Sequence, residues 1–174
     1  MSLLRKVITS EQGRVSHQPL PALQGTDGNW HALSALQGLT VLFTCPRPTP
    51  PNVPQVPGWI QVGRHLPLAP QARAFAAVLH ELQAAGVAQI FGISTSGHAE
   101  QKQLVKRARL PFHFLSDQQL RLAAKLNLPT FEVEGQTLLE RGAMILRDGA
   151  VQTHFHPILA PERSPSEVLN WLKG

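Results

Sequence analysis

The sequence predicts an α/β fold in which a mixed central sheet is flanked by helices on both faces. Two continuous apolar runs, Thr40–Thr44 and Gln89–Ser94, are typical of strands that are covered on both sides. The amphipathic segment Pro70–Ala85 between them predicts a β-α-β unit with parallel strands. Near the C-terminus, Asp148-Gly149 lies between two further strand-like runs and indicates an antiparallel hairpin. Together these observations predict parallel and antiparallel pairs in one sheet.

Length and composition predict one globular domain. A chain of 174 residues can bury a sizeable core, so we expect residues 19–174 to fold together behind an N-terminal arm, residues 1–18. The net charge of +5 comes without a long basic block, which favours partners other than nucleic acid. The N-terminus lacks the apolar segment of a signal peptide, and no stretch is apolar enough to span a membrane. We therefore expect a cytoplasmic protein without membrane contact.

The first elements follow from turn residues and prolines. Leu20–Leu36 reads as a small hairpin around the turn Thr26–Asn29, and the buried strand Thr40–Thr44 comes next. Residues 46–70 then contain eight of the 15 prolines, which exclude a helix or a central strand. Because this stretch also carries apolar side chains, we expect it to pack on the domain surface as a lid.

Periodicity predicts the remaining elements. The helix Pro70–Ala85 places Phe75, Val78, Leu79 and Leu82 on one face and is followed by Gly86 as a C-terminal cap. The other predicted elements are a helix over Ala99–Ala108, a strand over Phe112–Leu115, a helix over Gln118–Leu126, strands over Thr130–Val133 and Leu138–Leu139, a hairpin of Ala143–Arg147 with Ala150–Phe155, and a last helix that starts with the capping box Ser164-Pro165-Ser166-Glu167. This order is that of the thioredoxin-like fold.

Several segments carry a family resemblance. They are LPALQGTDG, FTCPRP, PGW, ELQAAGVAQIFGIST, LPFHFLSDQQLRLAAKLNLPTFEVEG and RGAMILRDG, in this order. Over roughly Leu20 to Leu172 the chain resembles the peroxiredoxins (the alkyl hydroperoxide reductase and thiol-specific antioxidant family), in particular the Q-type or bacterioferritin-comigratory members. The resemblance implies a thioredoxin-like fold and an ancestry of thiol-dependent peroxide reduction.

The chain departs from this family at the catalytic cysteines. In related sequences the peroxidatic cysteine lies nine positions after the tryptophan of PGW, here Trp59, and the resolving cysteine five positions further on. Those positions hold Leu68 and Arg73. The alternative PxxxTxxC signature makes Thr49 the motif threonine and places Asn52 at the cysteine position. Neither alignment supplies the thiolate that peroxide reduction requires.

Two residues remain as candidates for thiol chemistry. Arg141 matches the family arginine that faces the thiolate; alternatively it is a solvated or salt-bridged residue beside Glu140 or Asp148. Cys45 is the only cysteine, which excludes an intrachain disulfide. It is either a relocated nucleophile assisted by Arg47 or Arg141, or a small buried apolar residue, as free cysteines usually are.

Eight histidines raise the question of a metal site. His154 and His156 share one face of a predicted strand and could be joined by His113 or His65. Because acidic and cysteine ligands are lacking, we expect the pair to face solvent and to bind no metal. His98 reads as a residue near a helix start, and the basic run Lys102–Arg109 reads as a solvated helix face.

The sequence leaves two functions open. The preferred one is a peroxiredoxin-like protein without peroxidase activity, acting as a binding or regulatory module for an unknown protein or small-molecule ligand in the vacated pocket, with Thr49, Trp59 and Gln71 as candidate ligand contacts. The alternative is a one-cysteine peroxidase that uses Cys45 and an external reductant, either thioredoxin or a small thiol. We expect no cofactor and either a monomer or a homodimer.

Overall fold

The computed structural model describes residues 19–46 and 69–174. The predicted N-terminal arm (1–18) and the part of the predicted lid that spans 47–68 lie outside the described residues. Within the described part of the chain, no helix is long and apolar enough to cross a bilayer.

Seven strands form one mixed sheet. They are β1 (Ala22–Gly25), β2 (Trp30–Ala32), β3 (Leu39–Thr44), β4 (Val87–Ser94), β5 (His113–Ser116), β8 (Gly142–Arg147) and β9 (Ala150–Phe155). Their spatial order is β2-β1-β5-β4-β3-β8-β9, in which β3, β4 and β5 are parallel and the outer pairs are antiparallel. The intervening β6 (Thr130–Val133) and β7 (Gln136–Leu139) form a separate two-stranded sheet. The predicted thioredoxin-like α/β fold is therefore confirmed.

The helices differ from the prediction mainly at their ends. They are α1 (Pro70–Ala77), α2 (Leu79–Ala84), α3 (His98–Ala108), α4 (Arg121–Leu126) and α5 (Ser164–Lys173). The single helix predicted over Pro70–Ala85 is wrong, because Val78 leaves the helical region at φ −112° and ψ 20° and separates α1 from α2. Gly86 does close α2, with a φ of 97° and an amide that donates to the Gln83 carbonyl at 3.0 Å.

The predicted starts of two other helices, α4 and α5, are also wrong. Helix α4 begins three residues later than predicted, because the Asp117 carboxylate accepts hydrogen bonds from the amides of Leu122 and Ala123 at 3.0 and 2.9 Å. Helix α5 begins at Ser164 itself, and Arg163 in the cap position makes no side-chain cap hydrogen bond. The predicted capping box therefore does not describe this helix start.

The sheet separates two apolar cores. Val41 and Phe43 of β3 point into the core that α1, α2, α3 and α5 cover, whereas Leu42 points into the core on the α4 side. The Phe43 ring stacks on Phe75 of α1, with ring centroids 4.9 Å apart. Each such fully buried side chain contributes about 1.5–3 kcal/mol of hydrophobic stabilisation. The continuous apolar run of β3 therefore marks a strand that is covered on both faces, as predicted.

The parallel strands set the position of the candidate site. Strands β3, β4 and β5 end at the same edge of the sheet, and Cys45 directly follows β3 there. The hairpin of β8 and β9 lies beside β3, as the Asp148-Gly149 turn predicts. Gly149 has a φ of 77°, and a Cβ there would lie 2.2 Å from the Ser34 carbonyl oxygen, so both the turn and the packing require glycine.

Candidate functional site

Cys45 continues the pairing between β3 and β4. Its amide donates to the Ile93 carbonyl at 3.0 Å, and its Sγ donates to the same carbonyl at 3.8 Å. The residue is only 5% exposed. Burial raises the pKa of the Cys45 thiol to about 11, and the Arg141 charge offsets only part of this increase. Cys45 is therefore a buried thiol whose raised pKa favours the protonated form at neutral pH. Its part in any thiol chemistry stays a prediction.

Arg141 lies beside Cys45 because of the strand register. Thr44 of β3 pairs with Gly142 of β8 in an antiparallel ladder, so the next position of the ladder places Arg141 opposite Cys45. The arginine is 9% exposed. Burial lowers the pKa of its guanidinium, and the nearby Cys45 thiolate form would raise it. The structure therefore brings together the two residues that the sequence singled out for thiol chemistry.

The burial of Arg141 does not fit a solvated side chain, since only 9% of the residue is exposed. Asp148, one of its two suggested partners, follows the opposite end of β8 and accepts a hydrogen bond from the Gly38 amide at 2.8 Å. Glu140, the other, is its neighbour in the chain and lies 2.7 Å from His156 Nε2 through Oε2. Arg141 is a buried cation directly before β8. Its role toward a thiolate or a ligand stays a prediction.

Gln71 ties the first turn of α1 to its neighbours. Its Nε2 donates to the Gly142 carbonyl at 3.0 Å and to the Ser164 Oγ at 3.2 Å, and its side chain is fully buried. Its Oε1 is buried without a hydrogen-bond partner among the described residues. Arg73, two residues along the same helix, is exposed to solvent. Gln71, predicted as a ligand contact, therefore also has a structural function between α1, β8 and α5.

A cluster of polar residues next to Arg141 was not predicted. The Thr44 hydroxyl donates to the Glu140 carbonyl at 2.8 Å. The rings of His154 and His156 lie 6.0 Å apart at an interplanar angle of 29°. Burial, followed by the charge of His156, lowers the pKa of His154 to about 4. The solvent-facing pair predicted from the sequence is wrong, since both histidines are partly buried against β8 and Glu140.

The sequence contained only part of the signal for this cluster. Regular pairing from the Asp148-Gly149 turn would place Thr153 opposite Met144, but a β-bulge between Ile145 and Leu146 shifts the register, and Met144 pairs with His154. The hairpin was correctly predicted, whereas the bulge that sets the positions of the two histidines was not.

The histidine pair is not completed as a metal site in the described residues. His113 lies on β5, four strands from β9 or about 19 Å away at the usual strand spacing, where its Nδ1 lies 3.2 Å from the Thr26 hydroxyl. In residues 19–46 and 69–174, no three His, Cys, Asp or Glu residues are grouped as metal ligands. The other candidate positions, Thr49, Asn52, Trp59, His65 and Leu68, lie outside the described residues.

Comparisons with known proteins agree on one family and one fold. A family model described as Redoxin matches residues 15–170. The peroxidoxin BcpB of Mycobacterium tuberculosis is 20% identical, with a TM-score of 0.70 over 90% of this chain and 94% of that chain. The bacterioferritin comigratory protein of Xanthomonas campestris, whose structure was studied for its alkyl peroxide reduction activity, is 20% identical, with a TM-score of 0.68 over 88% and 90%.

A third similar structure is that of reduced Prx3 from Vibrio vulnificus. It is 20% identical, with a TM-score of 0.68 over 90% of this chain and 97% of that chain. No curated protein sequence matches. At these identities the structures establish the fold, and the family model covers nearly the whole chain.

Proposed function

Because this chain belongs to the redoxin family, we propose that it is a member without peroxide-reducing chemistry that uses the fold as a binding or regulatory module. The fold is peroxiredoxin-like, and the residues that follow β3 determine whether it can carry out peroxiredoxin chemistry. A peroxiredoxin reduces peroxide through a thiolate that attacks the O–O bond. The question is therefore whether this chain can present a thiolate.

The protonation of Cys45 is the observation that supports the proposal. With a pKa of about 11, only about one molecule in 4,000 carries the thiolate at pH 7.4. Cys45 is also almost completely shielded from solvent, and its thiol donates a hydrogen bond to the Ile93 backbone carbonyl. Both properties are those of a structural cysteine. They are the opposite of the exposed, low-pKa thiol of a working peroxidase.

The binding function is supported by what the site retains. The buried cation of Arg141 and the buried amide of Gln71 lie at the edge where β3 ends, and the Gln71 Oε1 has no hydrogen-bond partner within residues 19–46 and 69–174. Leu68 at the aligned cysteine position would add apolar surface. We propose that Thr49, Trp59 and Gln71 contact the bound protein or small molecule.

One observation favours a second function, an unusual one-cysteine peroxidase. The Arg141 charge acts directly on Cys45 and lowers its pKa in part. A rearrangement that exposes the sulfur to water would remove the burial effect and leave the charge. Such an enzyme would oxidise Cys45 to a sulfenic acid and would need thioredoxin or a small thiol to restore it.

Peroxide consumption by the purified protein separates the two functions. Hydrogen peroxide and an organic hydroperoxide are each supplied with either thioredoxin and its reducing system or dithiothreitol. Wild-type protein and Cys45→Ser are compared at equal concentration. We expect the two proteins to show the same background rate. Turnover that the serine variant lacks would replace the proposal with the one-cysteine peroxidase.

A gain-of-function variant tests the vacated position. Leu68→Cys restores a thiol where the family alignment places the peroxidatic cysteine, in a Cys45→Ser background that leaves no other sulfhydryl. We expect a thiol with a pKa below the ordinary 8.5 and measurable peroxide consumption. Asn52→Cys in the same background is the matched control, because the alternative alignment predicts activity there instead.

A further inference from the structure

A cavity of about 330 Å³ lies at the edge of the sheet opposite Cys45. It is bordered by residues 87–91 at the beginning of β4, whereas Cys45 pairs with Ile93 near the end of that strand. The size is at the lower end of the range for small-molecule sites. The cavity is thus separate from the site discussed above.

The floor of the cavity is apolar. Val87, Ile90 and Phe112 are buried core residues that line it, and Leu79 of α2 adds a further apolar side chain. The polar part of the lining includes two histidines, His31 and His113. An apolar floor with a few polar groups is the usual composition of a small-molecule site.

The first histidine is held in a fixed orientation. Its Nε2 lies 3.0 and 3.1 Å from the two carboxylate oxygens of Asp27, and its ring packs on Phe91 with centroids 4.9 Å apart. Desolvation raises the pKa of Asp27, but hydrogen bonds from His31 and Asn29 outweigh it and lower that pKa to about 2. The carboxylate is ionised and only accepts, so Nε2 of His31 donates. In the neutral ring, Nδ1 is then an acceptor.

The second histidine is held by the residue next to Asp27. The Thr26 oxygen accepts a hydrogen bond from the Phe114 amide at 3.2 Å and lies 3.2 Å from Nδ1 of His113. Because the Thr26 oxygen already accepts from the Phe114 amide, we assign the tautomer of His113 in which the Thr26 hydroxyl donates to Nδ1. In this tautomer Nε2 of His113 carries the proton and is a donor. One turn therefore orders two imidazoles that line one cavity, one with an acceptor nitrogen and one with a donor nitrogen.

From this arrangement we infer that the cavity binds a small aromatic molecule with a neutral group that both donates and accepts hydrogen bonds, such as a phenolic hydroxyl. The apolar floor takes the ring, and the two imidazoles take the polar group. The negative charge of Asp27, one imidazole away, disfavours an anionic group. This inference does not depend on the proposed function, because none of the Cys45 site takes part.

The test compares phenol with toluene, which has nearly the same shape but no hydroxyl. Each probe is titrated into ¹⁵N-labelled protein, and binding is followed through the amide signals of residues 87–91 and the His31 and His113 ring signals. We expect phenol to bind about ten- to 100-fold more tightly than toluene, the usual effect of two hydrogen bonds. His113→Phe removes one of the two and should weaken phenol about three- to tenfold while leaving toluene unchanged.

Two variants complete the design. His80→Phe changes an exposed histidine of α2 that does not line the cavity and should leave both affinities unchanged. Ala88→Trp adds bulk at an exposed position of the lining and should weaken both probes. Absence of saturable binding, equal affinities for phenol and toluene, or unchanged binding in Ala88→Trp would each overturn the inference. The amide spectrum of each variant shows whether it is folded.

Discussion

Alkylation of Cys45 by iodoacetamide tests the state of the thiol directly. Only the thiolate reacts, so the rate follows the ionised fraction. The increase in pKa from 9.0 to about 11 lowers this fraction about 100-fold at neutral pH. Burial of the sulfur slows the reaction further. We therefore expect the native protein to react at least about 100-fold more slowly at pH 7.4 than the unfolded chain in guanidinium chloride.

The assay is made simple by the single cysteine. Intact mass spectrometry counts one adduct per chain, and Cys45→Ser, which has no thiol, gives the background from other nucleophiles. Rates are measured from pH 7 to pH 11 in native buffer. We expect the rate to increase about tenfold per pH unit until at least pH 10.

The shape of the pH profile decides the outcome. A plateau near pH 9 at very low rate would mean that reaction occurs through transiently opened molecules, and the native thiol would still be inert. A plateau below pH 8, at a rate close to that of the unfolded chain, would show an accessible and activated thiolate. That result would refute the reasoning from burial and would favour the one-cysteine peroxidase.

Three further predictions concern stability, each measured by urea unfolding with circular dichroism. Gln71→Leu removes the two buried hydrogen bonds to the Gly142 carbonyl and the Ser164 hydroxyl, so the free energy of unfolding should fall by about 1–3 kcal/mol; an unchanged midpoint would contradict this role. The folded pKa of His154, about 4, lies below the ordinary 6.5, so the unfolded chain takes up the proton first and stability falls as the pH decreases from 6.5 to 4. His154→Gln should remove up to about 3 kcal/mol of that decrease, and equal pH profiles for both proteins would contradict it. Gly92→Ala places a Cβ 2.4 Å from the buried Phe114 ring and should cost about 1–3 kcal/mol through overpacking; a neutral effect would show that the ring can move.

Much of the fold could be predicted from local pattern. The run Thr40–Thr44 and the Asp148-Gly149 turn each determine one element through chemistry within a few residues, and the structure confirms both. The break at Val78 could not be predicted, because the apolar periodicity continues through it. The start of α4 depends on Asp117, whose carboxylate accepts from amides five and six residues further on.

The candidate site was only partly accessible from sequence. The family resemblance identified Arg141, and the single cysteine made Cys45 the only thiol candidate, but their proximity depends on the pairing of β3 with β8. The hydrogen bond between Glu140 and His156 joins the residue two positions before β8 to the residue directly after β9. Because these residues are 16 positions apart in the sequence, no local pattern predicts the bond. Burial has the largest effect on the pKa of the Cys45 thiol. It is a property of the packed core and cannot be predicted from the spacing of residues in the sequence.

The link between Gly38 and Asp148 has a consequence for the charge beside the sulfur. The Gly38 amide donates to the Asp148 carboxylate at 2.8 Å, and the Asp148 amide donates back to the Gly38 carbonyl at 3.0 Å. This reciprocal pair locks the far end of β8 to the beginning of β3, and a slip of one residue would turn the side chains of β8 to the opposite face. The backbone register therefore places Cys45 and Arg141 opposite each other on the same face of the sheet. Substitutions among the surrounding side chains could change the electrostatics of this edge, but they would leave the two groups facing each other.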